Sequence, residues 1–151
     1  MLGFRSFVLC AVLAIGLTSV NGLSDEEKGA IKALVLPFLA ECGKDYGVTE
    51  EEIKAAKEAG TLKDLNPCLI SCVFKKVGIF DSKGQFDEEK ATELTTKFLN
   101  DGEEQKKALE VIHTCSSVNE QAVNDGDKGC ERATLMIECY MPLKGKFPGA
   151  P

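Results

Sequence analysis

The sequence predicts a small secreted all-α domain of about six helices that three disulfides hold together. Three observations predict this class: apolar residues recur at helical spacing, an apolar run near the start resembles a secretory leader, and the cysteines after that run are even in number. No strand-like alternation of useful length and no internal repeat is present. The 151 residues fit one domain, and 24 acidic residues outnumber 18 basic ones, which excludes a basic face for nucleic acid.

The chain begins with the pattern of a signal peptide. Arg5 precedes an apolar run at residues 7–17, and small residues follow at Val20 and Gly22. A transmembrane anchor needs about 20 apolar residues, and this run is too short. We therefore predict residues 1–22 as a secretory signal peptide, residues 23–151 as an extracellular domain, and no membrane insertion. Cleavage removes Arg5 and Cys10, which leaves 17 basic and 24 acidic residues, a net charge of −7 and six cysteines.

The first helix is predicted to begin at a capping box. The Ser24 hydroxyl accepts a hydrogen bond from the third helical amide while Glu27 reaches back. An apolar stripe at helical spacing follows, made of Ile31, Leu34, Val35, Phe38, Leu39 and Cys42. Pro37 lies inside this stripe and cannot donate to the Ala33 carbonyl, so a kink or break is expected there.

The next two helices have equally clear boundaries. Thr49 and Glu52 form a second capping box, and Gly60 ends that helix. The third helix starts near Pro67, a residue favoured in the first turn, and runs to about Val77 before a glycine.

Three more helices complete the predicted domain. The fourth begins at Asp87, the fifth follows Asp101, and the sixth follows Asp127. The sixth is apolar nearly all round, which predicts a helix buried in the middle of the domain. The last residues, 143–151, are too rich in glycine and proline for a stable helix and are predicted as an extended tail.

The six remaining cysteines are predicted to form three disulfides, because the predicted compartment is oxidising. A zinc site is the alternative, but no Cys-x-x-Cys pair exists and the single His113 lies outside any ligand pattern. Six cysteines allow 15 pairings, and the sequence alone does not choose among them.

The cysteine spacing carries a family resemblance. The cysteines are separated by 25, 3, 42, 14 and 8 residues, in the order Cys42, Cys68, Cys72, Cys115, Cys130 and Cys139. The chain resembles the insect odorant-binding proteins, which include pheromone-binding and general odorant-binding proteins and have the same three-residue and eight-residue gaps. That resemblance implies the interlocked pairing Cys42–Cys72, Cys68–Cys130 and Cys115–Cys139. It also implies a helical fold around an internal apolar ligand cavity.

The resemblance implies that some of the apolar residues at helical spacing line the ligand pocket. An apolar residue at helical spacing is usually core, so no single residue is assigned from spacing alone. The candidates are Leu34, Phe38, Phe74, Leu94, Phe98, Ile112, Leu135, Met136, Tyr140 and, in the tail, Phe147. The Tyr140 hydroxyl could bond a ligand or the backbone. His113 flanks the apolar face of its helix, which favours an exposed side chain over a pH switch.

Enzymatic functions find little support in the sequence. A phospholipase A2 needs a His-Asp pair, but Thr114 follows His113. The segment at residues 81–85 lacks two ligands of a calcium loop, since Lys83 and Gln85 occupy their positions. The acidic clusters at helix starts complement the helix dipole. We therefore predict no enzyme, no cofactor and no metal.

The predicted function is that of a secreted carrier for small hydrophobic molecules of the odorant or pheromone class. The implied partners are the ligand and a membrane odorant receptor, with the carrier a monomer or weak homodimer. Two alternatives remain: a saposin-like lipid-interacting protein and a secreted signalling or defence protein. Against the first, Cys42 stands alone in the first helix where saposins have a close cysteine pair.

Overall fold

A computed structural model describes residues 24–100 and 102–143 of the chain. In these residues the chain forms six α-helices, which we number in chain order. They are α1 Asp25–Tyr46, α2 Glu50–Ala59, α3 Pro67–Val77, α4 Glu88–Phe98, α5 Glu103–Cys115 and α6 Cys130–Leu143. Short 3-10 helices occupy Leu62–Asp64, Ser116–Glu120 and Gly126–Lys128. The predicted all-α class is confirmed, and the predicted signal peptide at residues 1–22 lies outside the described residues.

Both predicted capping boxes are present. The Glu27 amide donates to Ser24 Oγ at 3.1 Å, and the Ser24 amide donates to Glu27 Oε2 at 2.8 Å. The Thr49–Glu52 pair repeats this arrangement at the start of α2, with 3.2 Å and 2.8 Å. Each box satisfies amides that a helix start would otherwise leave without partners.

The helix α1 is continuous through Pro37, so the expected break does not occur. Proline removes one backbone hydrogen bond, to the carbonyl of Ala33, which is exposed and can bond water. Val35 before Pro37 and Leu39 after it both pack against an apolar cluster that α1 shares with α3, and the Cys42–Cys72 disulfide joins the same two helices. Tertiary contacts therefore offset the local cost.

The C-terminal boundary of α6 also differs from the expectation by one residue. The sequence predicts Leu143 as the first residue of an extended tail, but it is the last residue of α6. It packs against the larger of the two apolar clusters, so its burial favours one more helical residue. The predicted central position of α6 holds for one face, where Ala133 and Met136 are buried, whereas Glu138 on the opposite face is exposed.

Three disulfides tie the helices together. The structure joins Cys42 of α1 to Cys72 of α3, Cys68 of α3 to Cys130 of α6, and Cys115 of α5 to Cys139 of α6. The paired Cα atoms lie 5.9, 4.4 and 5.8 Å apart. The bridges span 30, 62 and 24 residues of sequence, long enough for each to stabilise the fold by about 3–4 kcal/mol in the chain-entropy model.

Two apolar clusters form the core. The larger contains Phe80, Phe86, Ala91, Cys115, Val118, Ala133 and Met136, from the α3–α4 linker and the helices α4 to α6. The smaller contains Cys42, Leu69 and Val73, from α1 and α3. None of the described helices is both long and apolar enough to cross a membrane.

One end of the molecule is closed by polar contacts, and we call it the clamped end. It consists of the α3–α4 linker at residues 79–87 and the segments at residues 116–121 and 125–129. The Asn119 amide group holds both backbone groups of Phe86, accepting from its N–H at 2.8 Å and donating to its carbonyl at 2.8 Å. Phe86 in turn forms an antiparallel bridge with Phe80.

A buried arginine extends the clamped end to α6. Arg132 is 6% exposed, and its guanidinium donates to the carbonyls of Val118 and Gln121. These carbonyls lie at the end of the 3-10 helix that continues α5, where a cation complements the helix dipole. The α3–α4 linker, the 3-10 helix at Ser116–Glu120 and α6 are thus bonded into one unit.

Candidate functional site

Five helices contact one another in a closed ring. The helix α1 packs against α3, α3 against α6, α6 against α5, α5 against α4, and α4 against α1. Each helix presents an apolar stripe to its neighbours, as the 3.6-residue period of the sequence requires. The inner faces of the ring therefore bring together apolar side chains that lie far apart in the sequence.

Five of the predicted pocket residues pack with the two core clusters. Met136 belongs to the larger cluster, and Phe74, Ile112 and Leu135 are partly buried against it. Phe38 packs against the smaller cluster. Their contacts with other apolar side chains stabilise the fold, which is the ordinary role of such residues.

Four other predicted residues are half-buried and belong to neither cluster. They are Leu34, Leu94, Phe98 and Tyr140. Leu94 and Phe98 follow the buried Ala91 at intervals of three and seven residues, so all three share one face of α4. Leu34 shares a face of α1 with Phe38. These side chains lie on the same helix faces as core residues yet pack against neither core cluster.

Tyr140 lies on the buried face of α6 but is itself only half-buried. It follows Met136 by four residues and Ala133 by seven, and both of those are buried. Burial raises the pKa of the Tyr140 phenol, because an apolar environment disfavours the phenolate. The hydroxyl therefore stays protonated at neutral pH and can donate or accept a hydrogen bond.

The surface also has two clefts, and none of the predicted pocket residues that the structure describes lines either of them. An open cleft of about 380 Å³ lies between the end of α1 and the start of α2, lined by Ala40, Gly43, Lys44, Gly47, Val48, Thr49 and Glu50. A smaller cleft of about 80 Å³ between α5 and α6 is lined by Lys107, Glu110, Val111, Thr114 and Leu143. Phe147, the last predicted pocket residue, lies outside the described residues.

Several side chains that shape this region were not among the predicted site residues. Val35 and Leu39 of α1 pack against the smaller cluster, and Val111 of α5 packs against the larger one. Their helical spacing was visible in the sequence. Asn119 and Arg132 carried no such signal, because their partners lie 33 and 14 residues away and are backbone groups.

The titratable and metal-binding candidates lie apart from the apolar faces. His113 is exposed and its Nδ1 lies 3.0 Å from Glu88 Oε1. Asp81 Oδ1 accepts from the amides of Lys83 and Gln85, both at 2.9 Å, and so closes a turn. Within residues 24–100 and 102–143, no group of three His, Cys, Asp or Glu side chains is placed to hold a metal ion.

The fold and the apolar faces define a class: a small helical domain, locked by three disulfides, whose helices contact one another in a ring and carry half-buried apolar side chains. The chain belongs to the PBP/GOBP family, the insect odorant-binding proteins, because the family model matches residues 7–142. This confirms the family that the cysteine spacing indicated.

Individual relatives agree with this membership. The chain is 28% identical to general odorant-binding protein 28a of Drosophila melanogaster over 135 residues, covering 88% of this chain and 89% of the relative. It is 26% identical to general odorant-binding protein 19d of the same insect over 140 residues, covering 91% and 87%. The B1 protein of Tenebrio molitor is 32% identical over 97 residues, covering 62% of this chain and 70% of that protein.

A solved structure shares the fold. Odorant-binding protein dmelOBP28a from Drosophila melanogaster superposes with a TM-score of 0.53 at 28% identity, covering 80% of this chain and 93% of that one.

Proposed function

We propose that this protein is a secreted carrier that binds one small hydrophobic ligand inside the ring of helices. The observation that carries the proposal is the set of half-buried apolar side chains, Leu34, Leu94, Phe98 and Tyr140, which share helix faces with core-packing residues but belong to neither core cluster. An apolar ligand would complete their packing and remove its own surface from water, a gain of about 25 cal/mol per Å². Family membership and the names of the relatives support the carrier role.

The ligand we propose is mostly apolar with one polar group, as odorants and pheromones are. The inner faces are dominated by aliphatic and aromatic side chains, whereas the Tyr140 hydroxyl is a protonated group on the same side. A site of this composition holds its ligand by buried area and orients it by one or two hydrogen bonds. The full proposed lining is Leu34, Phe38, Phe74, Leu94, Phe98, Ile112, Leu135, Met136, Tyr140 and Phe147.

The proposed binding is tested by titrating the disulfide-bonded chain with the fluorescent probe N-phenylnaphthylamine. We expect saturable binding of one probe per chain and displacement by long-chain alcohols or esters, without lipid vesicles. Phe98→Ala should weaken probe binding, because Phe98 lies on an inner face. Leu36→Ala is the matched control, since Leu36 is an apolar residue that is 44% exposed. Binding only in the presence of anionic vesicles would instead support the saposin-like alternative.

We also propose that residues 1–22 are removed during secretion and that the carrier acts outside the cell as a monomer or weak homodimer, delivering its ligand to a membrane receptor. The oxidising compartment in which disulfides form supports secretion. Expression of the full chain in insect cells should yield secreted protein whose first residue is Leu23. Retention in the cell, or an intact Met1 on the secreted protein, would contradict the proposed signal peptide.

A further inference from the structure

Five contacts between neighbouring helices close the ring, and we call each of these contacts a seam. The seams differ in the links that hold their two helices together. Disulfides hold three of them: α1 to α3, α3 to α6, and α6 to α5. The seam between α4 and α5 is held by the chain itself, because only residues 99–102 separate these helices. The fifth seam, between α1 and α4, has neither kind of covalent link, since all six cysteines after residue 24 are used elsewhere.

One hydrogen bond between described residues crosses the α1–α4 seam. The backbone N–H of Asn100, two residues after α4, donates to Glu27 Oε1 at 2.9 Å. The second oxygen of the same carboxylate accepts the Ser24 amide at 2.8 Å. A single side chain therefore caps α1 and attaches the start of α1 to the end of α4.

Two of the half-buried apolar residues lie on the two helices that this bond connects. Leu34 follows Glu27 by seven residues, two turns along the same face of α1, and Phe98 precedes Asn100 by two residues. Opening the seam would therefore expose the inner faces that the proposed ligand contacts. Opening any other seam would require breaking a disulfide or separating helices that a four-residue linker joins.

We infer that the α1–α4 seam is the gate through which ligand enters and leaves, and that the Glu27 carboxylate is the latch that holds it closed. This inference rests on the proposed carrier function. Because the latch stabilises the closed ring whether or not ligand is present, its loss should speed entry and exit together. Affinity should change much less than either rate, since both the free and the bound forms lose the same hydrogen bond.

The chain offers a matched control in Glu52. Glu27 and Glu52 both complete capping boxes with a Ser or Thr at the first position, but among the described residues only Glu27 also bonds a distant segment. Glu27→Ala removes a cap and the latch, whereas Glu52→Ala removes a cap alone. A difference between the two variants therefore reports the contact with Asn100 rather than helix capping.

The test measures N-phenylnaphthylamine association and dissociation by stopped-flow fluorescence. We expect Glu27→Ala to raise both rate constants about tenfold, the effect of losing one charge-assisted hydrogen bond, while Glu52→Ala leaves both near those of the wild type. Equal rates in the two variants would overturn the latch. So would a Glu27→Ala variant whose dissociation alone is faster, because that pattern indicates weaker binding rather than a looser gate.

Hydrogen exchange of the ligand-free protein provides a second measurement. Glu27→Ala should increase amide exchange at Asn100 and in the last turn of α4, which the capping box of α1 does not bond, and Glu52→Ala should not. Unchanged exchange at these sites in Glu27→Ala overturns the latch. If the wild type binds no probe, the proposed carrier function fails, and the exchange measurement still decides whether Glu27 holds the seam.

Discussion

The clamped end and the α1–α4 seam are built in opposite ways. At the clamped end, Asn119 and Arg132 bond backbone groups of other segments, and Gly84 approaches Gly129 closely. At the seam, one carboxylate accepts one amide hydrogen bond, and Leu34 and Phe98, which lie on the two helices that this bond joins, are only half-buried. The comparison agrees with the gate that we infer, because the polar bonds and close backbone contacts that stabilise the domain are concentrated away from the seam.

The largest expected effect comes from the glycine contact at the clamped end. Gly84 has φ +73°, and a Cβ there would lie 2.8 Å from Gly129 Cα and 2.9 Å from its nitrogen. Gly84→Ala should therefore lower the free energy of unfolding by about 3 kcal/mol or more, from backbone strain and overpacking together. Chemical denaturation measures this change.

Gly60→Ala separates the two causes in the Gly84 experiment. Gly60 has a similar φ of +71°, but nothing lies within 4 Å of the position that a methyl group would take there. Its substitution should cost about 1 kcal/mol, the strain alone. Equal losses in the two variants would show that the Gly84–Gly129 contact contributes nothing to the clamp.

The next largest effect is expected at Asn119. Asn119→Ala leaves the N–H and carbonyl of Phe86 without their partners, and Phe86 is buried, so unfolding free energy should fall by about 2 kcal/mol. Asn119→Asp keeps the acceptor and loses the donor, so its free energy of unfolding should lie between those of Asn119→Ala and the wild type. Neither variant should alter the rate of probe exchange, because the contact lies at the clamped end.

Truncation of Leu94 on α4 should affect probe binding more than stability, whereas the Asn119 variants should affect stability alone. Leu94→Ala removes a half-buried side chain, so it should lower unfolding free energy by about 1 kcal/mol, less than the roughly 2–5 kcal/mol of a fully buried leucine. Probe affinity should fall severalfold, because the lost methyl groups face the proposed ligand. A variant that loses stability but keeps full affinity would place Leu94 in the core instead.

The smallest effect is expected from pH. Hydrogen bonds from the Asn100 and Ser24 amides lower the pKa of Glu27 below its ordinary 4.5, and bonds from Thr49 lower the pKa of Glu52. The stabilisation that these two carboxylates contribute is therefore complete above the pKa that they have in the unfolded chain. It is lost as the pH falls through their lower pKa in the folded protein. Urea unfolding at a series of pH values should show stability decreasing below about pH 4.5, less steeply in Glu27→Ala and Glu52→Ala.

Helix starts were the most predictable features because they depend on neighbouring residues. The two capping boxes need only a Ser or Thr and a Glu three positions later, and both formed with both hydrogen bonds. Pro37 shows the limit of local rules, since α1 continues through it. Leu143 shows the same limit at the end of α6, where packing against the larger cluster extends the helix by one residue.

The candidate site was predictable only as a set of apolar positions. The helical period identified inward faces, but it did not separate Met136, which is packed in the core, from Leu94 and Tyr140, which are half-buried. That distinction depends on how far apart the helices stand. The helical period shows which face of a helix points toward the core, but it does not show how far away the neighbouring helices lie.

By itself the sequence determined the helices, their starts and the family, because caps, apolar period and cysteine spacing are local or countable properties. The tertiary structure decided which seam of the ring lacks a covalent link and which end is clamped. Both depend on contacts between residues distant in sequence: Glu27 with Asn100 and Asn119 with Phe86. Such pairs have no spacing rule, because the path of the chain between them sets whether they meet.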